Sequence, residues 1–408
     1  MKLNQVLILA FSVMLALACK KEGCTDQNAS NYNPEAENDD GSCVYDGTGG
    51  SGGTVGTVEN LSGTTSTPLT VENISTDPSV TEYIVDGHWN IESAVTIEPG
   101  VRIMMKSGAR ITVAANGSLN ASGTASENIY FVGEQDVEGY WQYIRFYGSN
   151  NPNNALKHVV VKNAGSNSSW DGAVYLYQNS RLVLQNSNIT KSASYGLLVY
   201  SADAKLIDFQ NNFFDDCTAA PIKVNNLTQA ASLDVNTDFV GNNGYNWVEV
   251  SGGNVNEDIT VKNLQGPIYC TGAMDINNNV IILPGTEIRM AAGSDITVQS
   301  TGSLYAVGTA SERIKFIGNN EVQGAFEFIL FYNSNSAQNE FQYVDVSYGG
   351  ANNSWDANIY LYQNTTFKMG NSSSNYSQTN GVTGSASATF VDLGGNTYTG
   401  NAGIDNSY

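Results

Sequence analysis

The sequence predicts an all-β parallel solenoid, and three observations carry that reading. The first is an internal duplication of 185 residues. Residues 96–133, TIEPGVRIMMKSGARITVAANGSLNASGTASENIYFVG, return at 281–318 as IILPGTEIRMAAGSDITVQSTGSLYAVGTASERIKFIG, with 21 identities in 38 positions. The register then holds through Trp170-Asp171 and Trp355-Asp356 to Asn211 and Asn396. Fixed-register self-similarity is the mark of a repeat architecture. The second observation is a shorter period. Asn186, Asn211 and Asn236 recur every 25 residues, each followed closely by Ile189, Phe213 or Phe239, and Asn371 and Asn396 repeat the step. Asn tolerates the left-handed backbone that tight corners need, and stacked amides hydrogen-bond from coil to coil. The third is the local pattern. Runs such as ITVA (111–114), YIRFY (143–147), AVYLY (173–177) and GLLVY (196–200) are short, β-rich and separated by Gly/Asn/Ser turns. No stretch after the leader has helical periodicity.

A β-propeller would need a repeat of roughly 40–50 residues. A sandwich would need antiparallel hairpins, and two-residue NG or DG turns are few between the strong runs. At about 25 residues per coil the repeat region makes about 14 coils, or a rod of roughly 65 Å at about 4.8 Å per coil.

Taken in order, the chain opens on a leader. Lys2 precedes an apolar run from Val6 to Ala18, too short to span a bilayer and suited to a signal peptide, 1–18. Ala16-Leu17-Ala18-Cys19 fits an A-x-A cleavage site and also resembles a bacterial lipobox, in which Cys19 is lipidated and becomes the first residue. Five cysteines are odd in number for a secreted chain, and lipidation of Cys19 leaves an even four. Residues 46–54, DGTGGSGGT, form a flexible linker. The first repeat copy covers 55–240 and the second 241–408.

Residues 23–43, GCTDQNASNYNPEAENDDGSC, closely resemble a Cys-flanked, Asp/Asn-rich module of Bacteroidetes surface proteins. The resemblance implies a small unit over 19–45, in which a Cys24–Cys43 disulfide closes a loop that has no core of its own. Asp26, Asn28, Asn31, Asp39 and Asp40 are hard oxygen ligands of the kind calcium uses, although their spacing is not that of an EF-hand loop. A disulfide-stapled polar spacer is the alternative. The solenoid region resembles the right-handed β-helix repeat proteins of the same surfaces. Their phrases x-I-x-P-G-x-x-I and G-S-L-x-A-x-G-T-A stand at 97–103 with 117–125, and at 282–288 with 302–310. That resemblance implies a right-handed parallel β-helix, and it implies little about function.

Lys and Arg total 18 against 39 Asp and Glu, a net charge of -21. Such a surface repels nucleic acid and anionic lipid headgroups. It leaves cations, neutral glycans and basic proteins as partners, with membrane contact only through the N-terminal lipid. These features together imply an outer-membrane, surface-exposed lipoprotein that meets an extracellular polysaccharide or a host or neighbouring cell surface. Two histidines, His88 and His158, leave little material for His-based catalysis.

The strongest candidate site is duplicated: SSWDGAVYLYQN (168–179) and NSWDANIYLYQN (353–364). Trp170, Asp171 and Tyr177 in the first copy match Trp355, Asp356 and Tyr362 in the second. An aromatic face beside a carboxylate suits sugar stacking. The alternative is that Trp packs over a coil end and Asp caps a turn. Two such sites on one face, roughly 35 Å apart, would suit a polymer through avidity. The enzymatic alternative is a β-helix polysaccharide lyase or hydrolase. It has one tight carboxylate pair to draw on, Asp215-Asp216, with Lys191 and Lys223 as nearby bases. A structural stalk or protein-binding adhesin is the third reading. Cys217 and Cys270, 53 residues apart, either bond to each other or sit buried as small apolar residues.

Overall fold

The computed structural model describes residues 58–167, 169 and 171–408, together with 21, 25 and 32–36. The leader, Cys19, Cys24, Cys43, the oxygen ligands Asp26, Asn28, Asn31, Asp39 and Asp40, the linker and Trp170 lie outside the described residues. Two compact units are present, 1–56 and 57–408. In the first, a turn at Asn33 is closed by Ala36 N–H donating to Asn33 O at 3.0 Å, and Lys21 pairs with Glu35.

The second unit is a parallel β-solenoid. One sheet of thirteen strands runs its length, so the coils number about thirteen, close to the fourteen expected. Strands of two to six residues alternate with turns, and every named pairing is parallel and joins one coil to the next. For example, Ile144–Tyr147 pairs with Arg110–Val113 on one side and Gly172–Tyr177 on the other. Period-2 alternation points every second side chain inward. A stacked column runs along the long sheet from Trp89 through Ile111, Ile144, Val174, Leu197 and Ile222 to Val248 and Ile268. Each of these is 0–1% exposed. Burying side chains of this size contributes about 1.5–3 kcal/mol each before chain entropy is charged against it.

The polar residues that enter the interior are satisfied in matching ways 185 residues apart. Asn154 accepts from Leu119 N at 3.1 Å and donates to Ser149 O and Oγ, while Ser149 Oγ donates to Gly117 O at 2.6 Å. Asn339, Leu304, Ser334 and Gly302 repeat these four bonds. Near the start, the carboxylate of Glu82, 1% exposed, accepts from Ile74 N at 2.6 Å, Ser75 N at 2.8 Å and Arg102 N at 3.0 Å.

The corner asparagines are as expected in part. Asn186, Asn211 and Asn371 have φ of 50°, 52° and 50°. The third predicted rung is different. Asn211 N–H is met by the carboxylate of Asp234 at 3.1 Å, and Asn236 itself leans on Asp234 at 3.2 Å. Asn396 is not a left-handed corner, a role that Gly394 and Gly395 take with φ of 86° and 73°; it accepts from Ser372 N at 3.1 Å and donates to Met369 O at 2.9 Å, as Asn212 does with Ser187 N and Leu184 O.

Two of the three faces are interrupted after the seventh coil. A five-residue helix, Leu227–Ala231, stands where a strand would be. The sequence Asn-Leu-Thr-Gln explains it: Asn226 Oδ1 accepts from Gln229 N at 3.1 Å and Gln229 Oε1 accepts from Asn226 N at 3.4 Å, a capping box. Gln229 Nε2 also donates to Ser201 O at 2.8 Å and Ala204 O at 2.9 Å, which ties the helix to the previous coil. Such a short helix gives no amphipathic period to detect.

Past this break the sheets exchange roles. Tyr83–Val85 belongs to a seven-stranded sheet, but its sequence counterpart Ile268–Cys270 belongs to the long sheet. His88–Ile91 lies in the long sheet, and its counterpart Met274–Ile276 lies in the next one. The repeat is therefore displaced by one face around the coil.

Candidate functional site

The strand Gly172–Tyr177 sits in the long sheet with Val174 and Leu176 facing in. Alternation then turns Tyr175 and Tyr177 outward, where they join a tyrosine ladder spanning three coils. The Tyr147 and Tyr177 rings lie 5.2 Å apart, Tyr177 and Tyr200 5.8 Å, and Tyr175 and Tyr200 6.1 Å. Tyr200 is 56% exposed, whereas Tyr175 is covered and 1% exposed. Burial, reinforced by the Tyr200 and Tyr177 phenols, pushes the Tyr175 hydroxyl well above the ordinary phenol range. The Arg145 guanidinium lies 5.0 Å over both Tyr143 and Tyr147, a cation–π contact that fixes the end of the ladder.

The second copy builds a related group on Ala357–Tyr362. Tyr332 and Tyr362 stack at 5.0 Å with 20° between planes. Trp355 meets this pair edge-on, 4.9 Å from Tyr362 and 6.3 Å from Tyr332, and it also touches Tyr360 at 5.1 Å. It is half-buried: one edge packs on the tyrosines and part of the ring meets solvent.

The turn-capping residue is an asparagine rather than the aspartate. Asn352 Oδ1 accepts from Ser354 N at 2.8 Å and Trp355 N at 3.1 Å, and its Nδ2 donates to Glu327 at 2.9 Å. Asn167 makes the equivalent turn with Ser169 N at 2.9 Å and donates to Gln142 at 2.9 Å. Asp356 joins the ladder through its carbonyl, accepting from Asn380 N at 3.1 Å and Nδ2 at 2.8 Å. Asp171 does the same, accepting from Tyr195 N at 3.1 Å. The capping job is done elsewhere, and both half-buried carboxylates stand beside the tyrosines.

The expectation that the duplicated motifs share a face is corrected by the topology. Gly172–Tyr177 is in the long sheet and Ala357–Tyr362 in a six-stranded neighbour. The offset places them about seven coils apart but on different sides.

The enzymatic candidates are spread differently from the sequence reading. Lys223 pairs with Glu249 at 2.7 Å. Asp215 accepts from Asn242 N at 2.7 Å, which fixes a loop. Lys191 and Asp216, however, share a polar groove of about 450 Å³ with Asp136 and Glu138. Asp136 takes Lys191 at 2.7 Å, Asn163 Nδ2 at 3.0 Å and Lys162 at 3.1 Å. Burial raises its pKa, but these partners outweigh burial and hold the carboxyl well below its usual range. Among the described residues no group of three or more His, Cys, Asp or Glu side chains has the geometry to hold a metal ion.

Cys217 and Cys270 are free and buried, the second of the two arrangements expected.

A third aromatic group was not found from the sequence: Tyr245, Trp247 and Tyr269. Tyr245 and Trp247 stack at 4.4 Å, and Trp247 meets Tyr269 at 4.4 Å. The reading relied on the duplication, and residues 55–74 of the first copy contain no aromatic side chain to pair with it. The available signal was Tyr-Asn-Trp-Val-Glu-Val at 245–250, where alternation puts Tyr, Trp and Glu on one side.

No protein-family profile and no solved structure matches the chain. A stretch of 24 residues is 75% identical to part of ribulose bisphosphate carboxylase/oxygenase activase A, chloroplastic, of Hordeum vulgare. It spans 6% of this chain and 5% of that protein, too little to carry a statement about fold or activity.

Proposed function

We propose that the chain is a surface-anchored lipoprotein that binds extracellular glycans without cleaving them. The observation that supports this is the outward tyrosine ladder, with Tyr147, Tyr177 and Tyr200 held 5–6 Å apart on a rigid sheet. Rigid aromatic faces offer large contact area to sugar C–H groups at little entropic cost, and Asp171 and Gln178 stand at the ladder to bond hydroxyls. The Trp355, Tyr332 and Tyr362 group supplies a second surface of the same chemistry, beside Asp356. Lipidation of Cys19 and display at the outer membrane belong to the same proposal. So does calcium held by Asp26, Asn28, Asn31, Asp39 and Asp40 in a loop closed by Cys24–Cys43.

The test is a glycan array probed with residues 20–408 in the presence of calcium. Saturable binding to one polymer class is expected, and Tyr177→Ala or Trp355→Ala should weaken it about tenfold, or about 1.4 kcal/mol, without unfolding. A blank array would sink the reading and leave a stalk or protein adhesin.

One observation favours a second reading, cleavage. Lys191 and Asp216 share the groove with Asp136 and Glu138. Incubation with the bound polymer, followed by a reducing-end assay, decides between them: product release that Asp216→Asn abolishes would establish an enzyme.

A further inference from the structure

We infer that Tyr245, Trp247 and Tyr269, fringed by Glu249, Lys223 and Tyr195, form a separate binding site for a neutral pyranose chain on the long sheet. The inference rests on the glycan-binding reading above and names a surface that the duplicated motif does not include.

Its geometry is that of a platform. Tyr245 is 53% exposed and lies nearly parallel on Trp247, with 10° between planes. Trp247 immediately precedes the strand Val248–Val250, in which Val248 faces in, and Glu249 is the register partner of Tyr269 in the next coil. The loop carrying Tyr245 is held on both sides. Asn246 bridges Gly241 through its Oδ1 at 3.2 Å and Nδ2 at 3.1 Å, and Gly244 N donates to Cys217 O at 2.7 Å. Asn243 Nδ2 donates to Phe239 O at 3.0 Å. The exposed ring is thus set in place before any ligand arrives.

Trp247 differs from the two tryptophans of the core. Trp89 donates its indole N–H to Thr65 Oγ1 at 2.9 Å, and Trp141 donates to Lys162 O at 2.7 Å. Trp247 Nε1 is equally shut off from solvent and has no acceptor among the described residues. Buried donors are rarely left so in packing alone.

The fringe selects the ligand class. Glu249 pairs with Lys223 at 2.7 Å, and the Tyr195 hydroxyl lies 3.3 Å from both Glu249 oxygens and 3.4 Å from Lys223 Nζ. The pair cancels its own charge and offers both donors and acceptors, as a chain of hydroxyls requires. A polyanionic glycan would face a protein of net charge -21. A neutral polymer meets no such opposition.

The experiment uses the full chain and three soluble probes: a β-glucan, a galactomannan and a xylan. Binding is followed by retardation in affinity gels and by tryptophan fluorescence. At least one probe should retard the protein. Tyr245→Ala should weaken that binding tenfold or more, and Tyr245→Phe, which keeps the ring, should stay within about twofold. Glu249→Gln keeps the side-chain volume and should weaken binding several-fold, serving as the readout should Tyr245→Ala fail to fold. Binding unchanged by Tyr245→Ala and Glu249→Gln but lost in Tyr177→Ala or Trp355→Ala would overturn this site and leave the glycan-binding reading standing. No retardation of the wild type by any probe would overturn both.

Discussion

Asn211 donates from its Nδ2 to the Oδ1 of Asn186, 3.3 Å away and one coil earlier, and both residues hold a left-handed backbone near φ 50°. The corner conformation and the coil-to-coil bond come from the same residue type. Asn211→Gly keeps the backbone and loses only the rung, so its cost should stay below about 1 kcal/mol. Asn211→Val loses both and should cost about 1–3 kcal/mol. Urea unfolding of the two variants measures the difference, and equal losses would contradict the backbone argument.

Glu82 is the acceptor for three backbone donors, and Ala at this position strands all of them. Glu82→Ala should cost about 3 kcal/mol or more, and Glu82→Gln less, since one oxygen remains. Denaturant midpoints of the three proteins rank the effect. Wild-type stability in Glu82→Ala would mean that the loop at 72–75 finds other acceptors.

Asp295 makes stability depend on pH. Burial, followed by the Glu327 and Asp275 carboxylates, pushes its pKa up to about 6 against the ordinary 3.8, although the Thr297 hydroxyl donates to it at 3.2 Å. The folded state therefore holds a proton that the unfolded state has already released. Its contribution to stability is full below pH 4 and is lost as pH rises through 6. Asp295→Asn should melt with the wild type at pH 4 and above it at pH 7, by an amount on the order of 1–3 kcal/mol. Thermal scans at the two pH values check this, and identical curves at pH 7 would refute it.

The two interior thiols should be inert. Burial pushes Cys217 up to about 12, aided by Asp215 and Glu138, and burial alone does so for Cys270. In a variant with Cys19, Cys24 and Cys43 changed to serine, a disulfide reagent at pH 8 should label neither thiol until denaturant is added. Prompt labelling of the native protein would show that a coil opens at one of these positions.

The fold was legible because its causes are local and repeated. A 25-residue period, Asn corners and short alternating strands each reflect one coil, and all agreed. The Asp234 rung was not legible because it stands two residues before the expected Asn236 and acts through a carboxylate. The helix at 227–231 is too short for a period, although its Asn-Leu-Thr-Gln cap was readable. The aromatic groups of the candidate site were legible where the chain repeats itself, as at Tyr177 and Tyr362. Side-chain exposure at Trp355 depends on Tyr332 from the preceding coil, which no local pattern reports. The Tyr245–Trp247 platform has no counterpart in the other copy, so a reading led by repetition passed over it.

The one-face displacement of the repeat decides what kind of grip two copies can make. A unit copied in whole coils would line its loops along one side, where a single straight polymer meets both. Here the strands 172–177 and 357–362 lie in different sheets, so a straight polymer lying along one face would not meet both. On the proposed glycan-binding reading, two copies of this unit would serve two strands at once, as a bridge between fibres. A third copy in tandem would turn its loop toward the remaining side.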